Sequence, residues 1–304
     1  VQFADPAAFH QEFMMRALHY RTFACVAMMA LLPTAGIAAS GNYADLVNRE
    51  VLRICAIPSN MPYTNDKGEG FDNKIAEIIA ANLNVPLSYT WYPGGYGLIR
   101  NTLTAKRCDM VMGTVQEDST TMNTNPYYRS TYVLVFRKDA DLDGVHSLSD
   151  PRLKGKRLSN QGGSIGNFIA ANGLMANAKS YLMNVDRRYN DPEREIINDV
   201  LSGDIDVGVL WGPYAGYEMR ELRDRLNASP ILEEHEGNAK IEYRISIGVR
   251  PTDSAWKRQL NETLAKHRAE IDKILLDYGV PLVNEQNQLI TAPRAAPPAA
   301  SAHG

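Results

Sequence analysis

Charge of one sign is what this 304-residue chain most lacks. It carries 32 Lys and Arg against 35 Asp and Glu, a net charge of −3, and no stretch is a run of like charges. A nucleic acid or an anionic membrane surface is therefore not an expected partner. Long apolar runs are missing as well. The best of them, Thr22 to Leu32, is too short to cross a bilayer. Histidine is sparse: beyond residue 40 there are only His146, His235, His267 and His303, with no ligand spacing. No metal site is expected. There is no P-loop, and no G-x-G-x-x-G follows the first strand pattern, so no nucleotide cofactor is expected either. Of three cysteines, Cys25 lies in the apolar run, leaving Cys55 and Cys108. An oxidising compartment permits a bridge between these two. Buried free thiols on neighbouring strands fit the pattern equally well.

What is present begins with the ends. Met15, then Arg16 and Arg21, the apolar run, and Ala38-Ala39-Ser40 describe a secretory signal peptide. Residues 1–40 are accordingly set aside as an upstream extension and signal peptide. The end of the chain, 286–304, closes on the Ala/Pro-rich "APRAAPPAASAHG", without apolar periodicity, and is expected to be a disordered tail. What remains is long enough for two modest domains with cores of their own.

Between the ends, the pattern β-α-β-α-β appears twice. "VLRICAIP" (51–58) reads as a strand buried on both faces. A helix over 71–85, a strand over 87–93, a helix over 97–107 and a strand over 108–114 follow. After the strand 131–138, a second unit runs strand 156–160, helix 167–177, strand 179–185, helix 192–204, strand 205–211. An alternating strand 240–250 and an amphipathic helix 254–278 end the pattern. The fold class is thus α/β, two doubly wound lobes: 41–136 with 240–285 as the first, 137–239 as the second. Strands 131–138 and 240–250 cross between lobes, making a two-strand hinge and a cleft.

In open α/β sheets ligands bind at the carboxyl ends of strands. That rule selects the loops 58–63, 92–97, 114–118, 161–166 and 211–217. Asn60, Tyr63 and Glu69 are suited to a ligand-facing loop, with a polar amide and a flat phenol. Tyr92, Tyr96, Thr114, Gln116, Tyr128 and Arg129 join them as candidate cleft residues. Gly162-Gly163-Ser164-Ile165-Gly166 matches G-x-S-x-G between a predicted strand and helix, and Asp206 with His235 or His267 follows in the chain order of a triad. The same Gly163-Ser164 loop equally suits backbone N–H groups presented at a helix start. "VLWGPYAGY" (209–217) ends a buried strand in Trp211, Tyr214 and Tyr217, aromatics of the kind found at protein contacts. Trp211 packing inside the second lobe is the plainer alternative.

"LRICAIPSNMPYTNDKGEGFDNKIAEIIA", "RCDMVMGT", "TNPYYRSTYVLVFR", "SLSDPRLKGKRL", "GDIDVGVLWGPYAGY" and "YGVPL" together resemble the MxaJ/XoxJ family, over roughly 51–282. The resemblance implies a type II periplasmic solute-binding-protein fold, a periplasmic location and no enzymatic activity. It implies as partner a PQQ-dependent methanol dehydrogenase or its cytochrome c, with docking through the cleft. Amino-acid receptors of this frame commonly place an arginine in the loop corresponding to 114–122 and an aspartate near 211. Here that loop has no arginine, and Trp211-Gly212-Pro213 stands at the second place. A solute-binding component of an importer remains the alternative reading, and a serine hydrolase using Ser164 a remote one. Between the two branches of the family, the sequence leans slightly to XoxJ.

Overall fold

In the computed structural model, residues 46–116, 118–233 and 241–295 are described. The expected signal peptide, Glu117, His235, His303 and the end of the tail from Ala296 onward lie outside them, as does the start of the expected strand at Lys240. β1 (Leu52–Ala56) leads into the hairpin β2 (Ser59–Asn60) and β3 (Thr64–Asn65), then α1 (Phe71–Leu83), β4 (Leu87–Trp91), the single turn α2 (Leu98–Asn101) and β5 (Met110–Val115). β6 (Met122–Asn123) precedes the long β7 (Tyr128–Arg137). β8 (Ser159–Asn160), α3 (Gly163–Ala171), β9 (Lys179–Ser180), α4 (Pro192–Ser202), β10 (Val207–Trp211), α5 (Gly212–Leu222) and β11 (Leu226–Pro230) follow. β12 (Glu242–Val249), α6 (Ser254–Lys266) and α7 (Arg268–Asp277) complete the order.

The main sheet runs β10-β7-β12-β5-β1-β4. β1 lies between β4 and β5 and is parallel to both. That explains its apolar residues on both faces: Leu52 and Ile54 join the core under α1, α6 and α7, while Cys55 packs on the other side with Leu103 and Val111. α1 buries Phe71, Ile75, Ile78 and Ile79 at helical spacing. It stops where Asn84 takes a left-handed conformation, φ 55°, and its N–H caps the carbonyls of Ala80 and Ala81.

β7 is the strand that joins the two halves. Tyr128–Thr131 pair with β12, and Tyr132–Phe136 pair with β10. Tyr128 belongs to the first core and Leu134 to the second, and Ile241 and Ile245 repeat the same crossing just before and within β12. Two extended segments thus connect two cores. In the second half β7 alternates: Leu134 and Phe136 face the core under α3, Val133 and Val135 the core under α4 and α5. Gly208 leaves room for α4, since a Cβ there would stand 2.9 Å from Ile196 Cγ2.

Several expected elements differ. The helix expected over 97–107 is one turn, α2. α3 begins at Gly163 rather than 167: Gly162 and Gly163 both have positive φ, a route into the helix that their poor helix propensity hides. The strand expected over 179–185 is only Lys179–Ser180. Residues 212–217 are helix, not loop. Pro213 sits in its first turn, and Gly212 and Gly216 are packing glycines. A Cβ at Gly212 would lie 2.4 Å from the Thr131 carbonyl oxygen, and one at Gly216 1.8 Å from that of Gly279. The final helix is two, α6 and α7, meeting at His267. β11, ending in Pro230, pairs antiparallel with β7 at its free edge and was not expected. Cys55 and Cys108 are joined in a disulfide with a Cα–Cα distance of 5.5 Å, linking β1 to the residues that open its neighbour β5.

Candidate functional site

A cavity of about 530 Å³ opens where the ends of β1 and β5 meet the crossing strands and the end of β10. Six aromatic residues stand in its wall among aliphatic ones. Tyr63 follows the β2 hairpin strand, Tyr89 comes from β4, Tyr128 and Tyr132 from β7, Trp211 from β10 and Tyr243 from β12. Register creates the cluster: Tyr132 is the partner of Trp211 across the β7–β10 ladder. Their rings meet edge to face at 5.3 Å, and Trp211 meets Tyr243 the same way at 5.8 Å.

One carboxylic acid lines this wall, Asp72 in the first turn of α1. It is 3% exposed. The Tyr127 hydroxyl accepts the Gly113 N–H at 3.1 Å and donates to Asp72 Oδ1 at 2.7 Å. Burial pushes the Asp72 carboxyl up to about 7, against the downward pull of the Tyr127 hydrogen bond. Burial likewise pushes the phenols of Tyr63, Tyr127, Tyr128 and Tyr132 upward, so all stay neutral. Among the described residues, no Lys or Arg lines the cavity.

The structure brings together some of the sequence candidates and separates others. Asn60, Tyr63, Tyr128 and Trp211 line the cavity. Thr114 is buried and turned toward β12, its hydroxyl donating to the Ser246 carbonyl at 3.0 Å. Gln116 and Arg129 line a separate cavity of about 220 Å³. Arg129 is engaged there by Glu242 at 2.9 Å, Asn287 at 2.6 Å and the Asn284 carbonyl. Glu69 accepts from Asn65 Nδ2 at 2.7 Å, beside the hairpin. The Tyr92 hydroxyl donates to the Tyr96 carbonyl at 2.8 Å, while the Tyr96 side chain itself is 84% exposed.

Tyr214 and Tyr217, expected at the rim, lie elsewhere. Tyr214 is core, its hydroxyl on the Asp191 carboxylate at 3.2 Å. Tyr217 stacks on Tyr278 at 6.1 Å. Both follow from α5 being a helix packed by Gly212 and Gly216. Gly163 and Ser164 are exposed on the first turn of α3. The triad is not assembled among the described residues. Asp206 is held by the Arg157 guanidinium at 2.8 Å, and His267 contacts Glu270 at 3.0 Å and Asn82 at 3.2 Å.

Sequence reasoning missed Asp72, Tyr89, Tyr132 and Tyr243. Tyr128 and Tyr132 share one face of β7 by the period of two, a signal available in advance. Asp72 carried none, because an acid in the first turn of a helix is ordinary.

The loop after β4 touches the segment before α4. The backbone N–H of Arg187 donates to the Pro93 carbonyl at 2.9 Å. A Cβ at Gly94 would stand 3.0 Å from Arg187 Cγ. The guanidinium is fixed from behind by both oxygens of Glu193.

The family model for bacterial extracellular solute-binding proteins, family 3, matches residues 52–280. Protein MoxJ of Methylorubrum extorquens AM1 is 31% identical over 78% of this chain and 83% of its own length. The crystal structure of periplasmic binding protein XoxJ from Methylobacterium extorquens AM1 is similar at a TM-score of 0.65, with 37% identity, covering 77% of this chain and 100% of that one. The crystal structure of MxaJ from Methlophaga aminisulfidivorans gives a TM-score of 0.66 at 26% identity, covering 76% and 100%.

Proposed function

The chain belongs to the bacterial extracellular solute-binding proteins of family 3, and within them to the MxaJ/XoxJ family, and from that premise we propose that it is a periplasmic accessory protein that docks on a PQQ-dependent methanol dehydrogenase or its cytochrome c. The greater identity to XoxJ than to MxaJ supports the XoxJ branch. It acts by binding, without catalysis; Asp206 and His267, engaged with other partners, support this.

The observation that carries the docking surface is an exposed apolar set on two adjoining loops. Tyr96, Leu182 and Tyr189 are 84%, 74% and 80% exposed. They sit on the two loops that the Arg187-to-Pro93 hydrogen bond holds together. Large exposed aromatics lose little entropy when fixed and are enriched among interface anchors. A partner seated on both loops would also hold the two halves in this arrangement.

Calorimetry with the dehydrogenase and cytochrome from the same organism tests the reading. Tyr96→Ala and Tyr189→Ala should each weaken association about thirtyfold, on the order of 2 kcal/mol. Variants that bind like wild type would place the contact elsewhere on the chain. A wild-type protein that binds neither partner would end the accessory reading.

A second reading, a solute-binding component of an importer, is favoured by one observation. The cavity is preformed, and its volume of about 530 Å³ falls within the range of small-molecule sites.

A further inference from the structure

We infer that the aromatic cavity is a binding site for a small organic ammonium ion, a quaternary or N-methylated amine without an acid group, held by Asp72 together with the rings of Trp211, Tyr132, Tyr243, Tyr63 and Tyr128. This concerns the cavity alone and stands apart from the docking surface on the two exposed loops.

The argument starts from the carboxylate. Asp72 is buried, and only one of its oxygens, Oδ1, receives the Tyr127 hydroxyl, at 2.7 Å. The other, Oδ2, faces Gly113, where a Cβ would stand 3.7 Å away. Gly113 also has φ +76°, a conformation that side chains rarely adopt, so the space before Oδ2 stays open. A buried carboxyl with one oxygen that receives no hydrogen bond and with no cationic neighbour in the wall would gain a counter-charge when a cation enters.

Elimination narrows the class. An anion finds no Lys or Arg in the described wall. An amino acid could place its ammonium on Asp72, but its carboxylate would be buried without a partner. Calcium takes six to eight oxygens and magnesium a near-octahedral set. The wall supplies one carboxylate, and no group of three or more His, Cys, Asp or Glu suited to a metal occurs among the described residues. What fits is a diffuse cation whose methyl groups bury apolar area against ring faces, which attract positive charge. The first turn of α1 opposes a cation with roughly half an elementary charge. The full charge of Asp72, in that same turn, outweighs it.

The groups facing Asp72 are the phenols of Tyr127, Tyr63, Tyr128 and Tyr89. The Arg187–Glu193 ion pair acts on Tyr63 and is internally neutral. A bound cation therefore selects ionised Asp72 and releases its proton, so affinity should rise with pH through neutrality and then level off.

Three isosteres test the charge directly: choline, the neutral 3,3-dimethylbutan-1-ol and the anionic 3,3-dimethylbutyrate, titrated by calorimetry or Trp211 fluorescence. Wild type should bind choline at least tenfold more tightly than the alcohol, and the acid least. Asp72→Asn should abolish the preference for choline over the alcohol. Trp211→Leu should weaken choline while keeping the pH dependence, which separates the ring from the carboxylate. Equal binding of choline and the alcohol by wild type overturns the proposal. So does tighter binding of the acid, or no binding of choline at millimolar concentration.

Discussion

Tyr132 and Trp211 face each other across the β7–β10 ladder, register partners with ring centroids 5.3 Å apart and planes at 66°. The pair closes the cavity from the side of the second core, where an amino-acid receptor of this frame would hold its ligand's ammonium. Two half-buried rings in that place carry no charge, and among the described residues the wall offers no cation to match an amino acid's carboxylate.

Standard amino acids should therefore bind no tighter than roughly millimolar, about −4 kcal/mol. Calorimetry against the full panel checks this. A micromolar amino acid would show that the described wall rearranges to supply the missing charge.

Asp72 should make stability depend on pH in an unusual direction. Its folded-state value, pushed to about 7 by burial, lies above the ordinary 3.8 of an unfolded aspartate. Between these values the folded protein holds the proton and the unfolded chain has lost it. Its contribution is thus most favourable below the unfolded value and is lost as pH rises toward 7. Urea melts of wild type and Asp72→Asn at pH 5 and pH 8 should show the variant gaining on wild type at the higher pH, on the order of a few kcal/mol. Parallel curves would mean that Asp72 is ionised without penalty.

The Cys55–Cys108 bridge should be structural. It closes a separation of 53 residues, and constraining a loop of that size in the unfolded chain contributes about 2–4 kcal/mol. The double Cys55→Ala, Cys108→Ala protein should melt correspondingly lower. Reductant should lower wild type to the same point and leave the variant unmoved.

Gly216→Ala should separate α5 from the turn after α7. The added Cβ would lie 1.8 Å from the Gly279 carbonyl oxygen, backbone against backbone, so one of the two must move. Overpacking of this kind typically costs about 1–3 kcal/mol. Ser164→Ala, exposed on α3, is the control and should melt like wild type.

The helices α1 and α4, the crossing of β7 and β12, and the burial of β1 on both faces were readable from apolar periodicity, because burial acts on each residue by itself. α5 was not readable. Gly212, Pro213 and Gly216 look like a loop locally, and only the close approach of Thr131 and Gly279 makes them the right residues for a packed helix. For the same reason Tyr214 and Tyr217 went to the core and to Tyr278 instead of the rim.

The candidate site divides along the same line. Composition and order along the chain determined an α/β frame, aromatic loops and the lack of an arginine where the frame would use one. Register and packing decided the rest. Tyr132 meets Trp211 because of one antiparallel pairing between residues far apart in sequence, and Asp72 of α1 lines the cavity beside Gly113 of β5. A sequence records what each residue can do. Which groups share one buried space depends on contacts between distant segments, and those exist only in the folded chain.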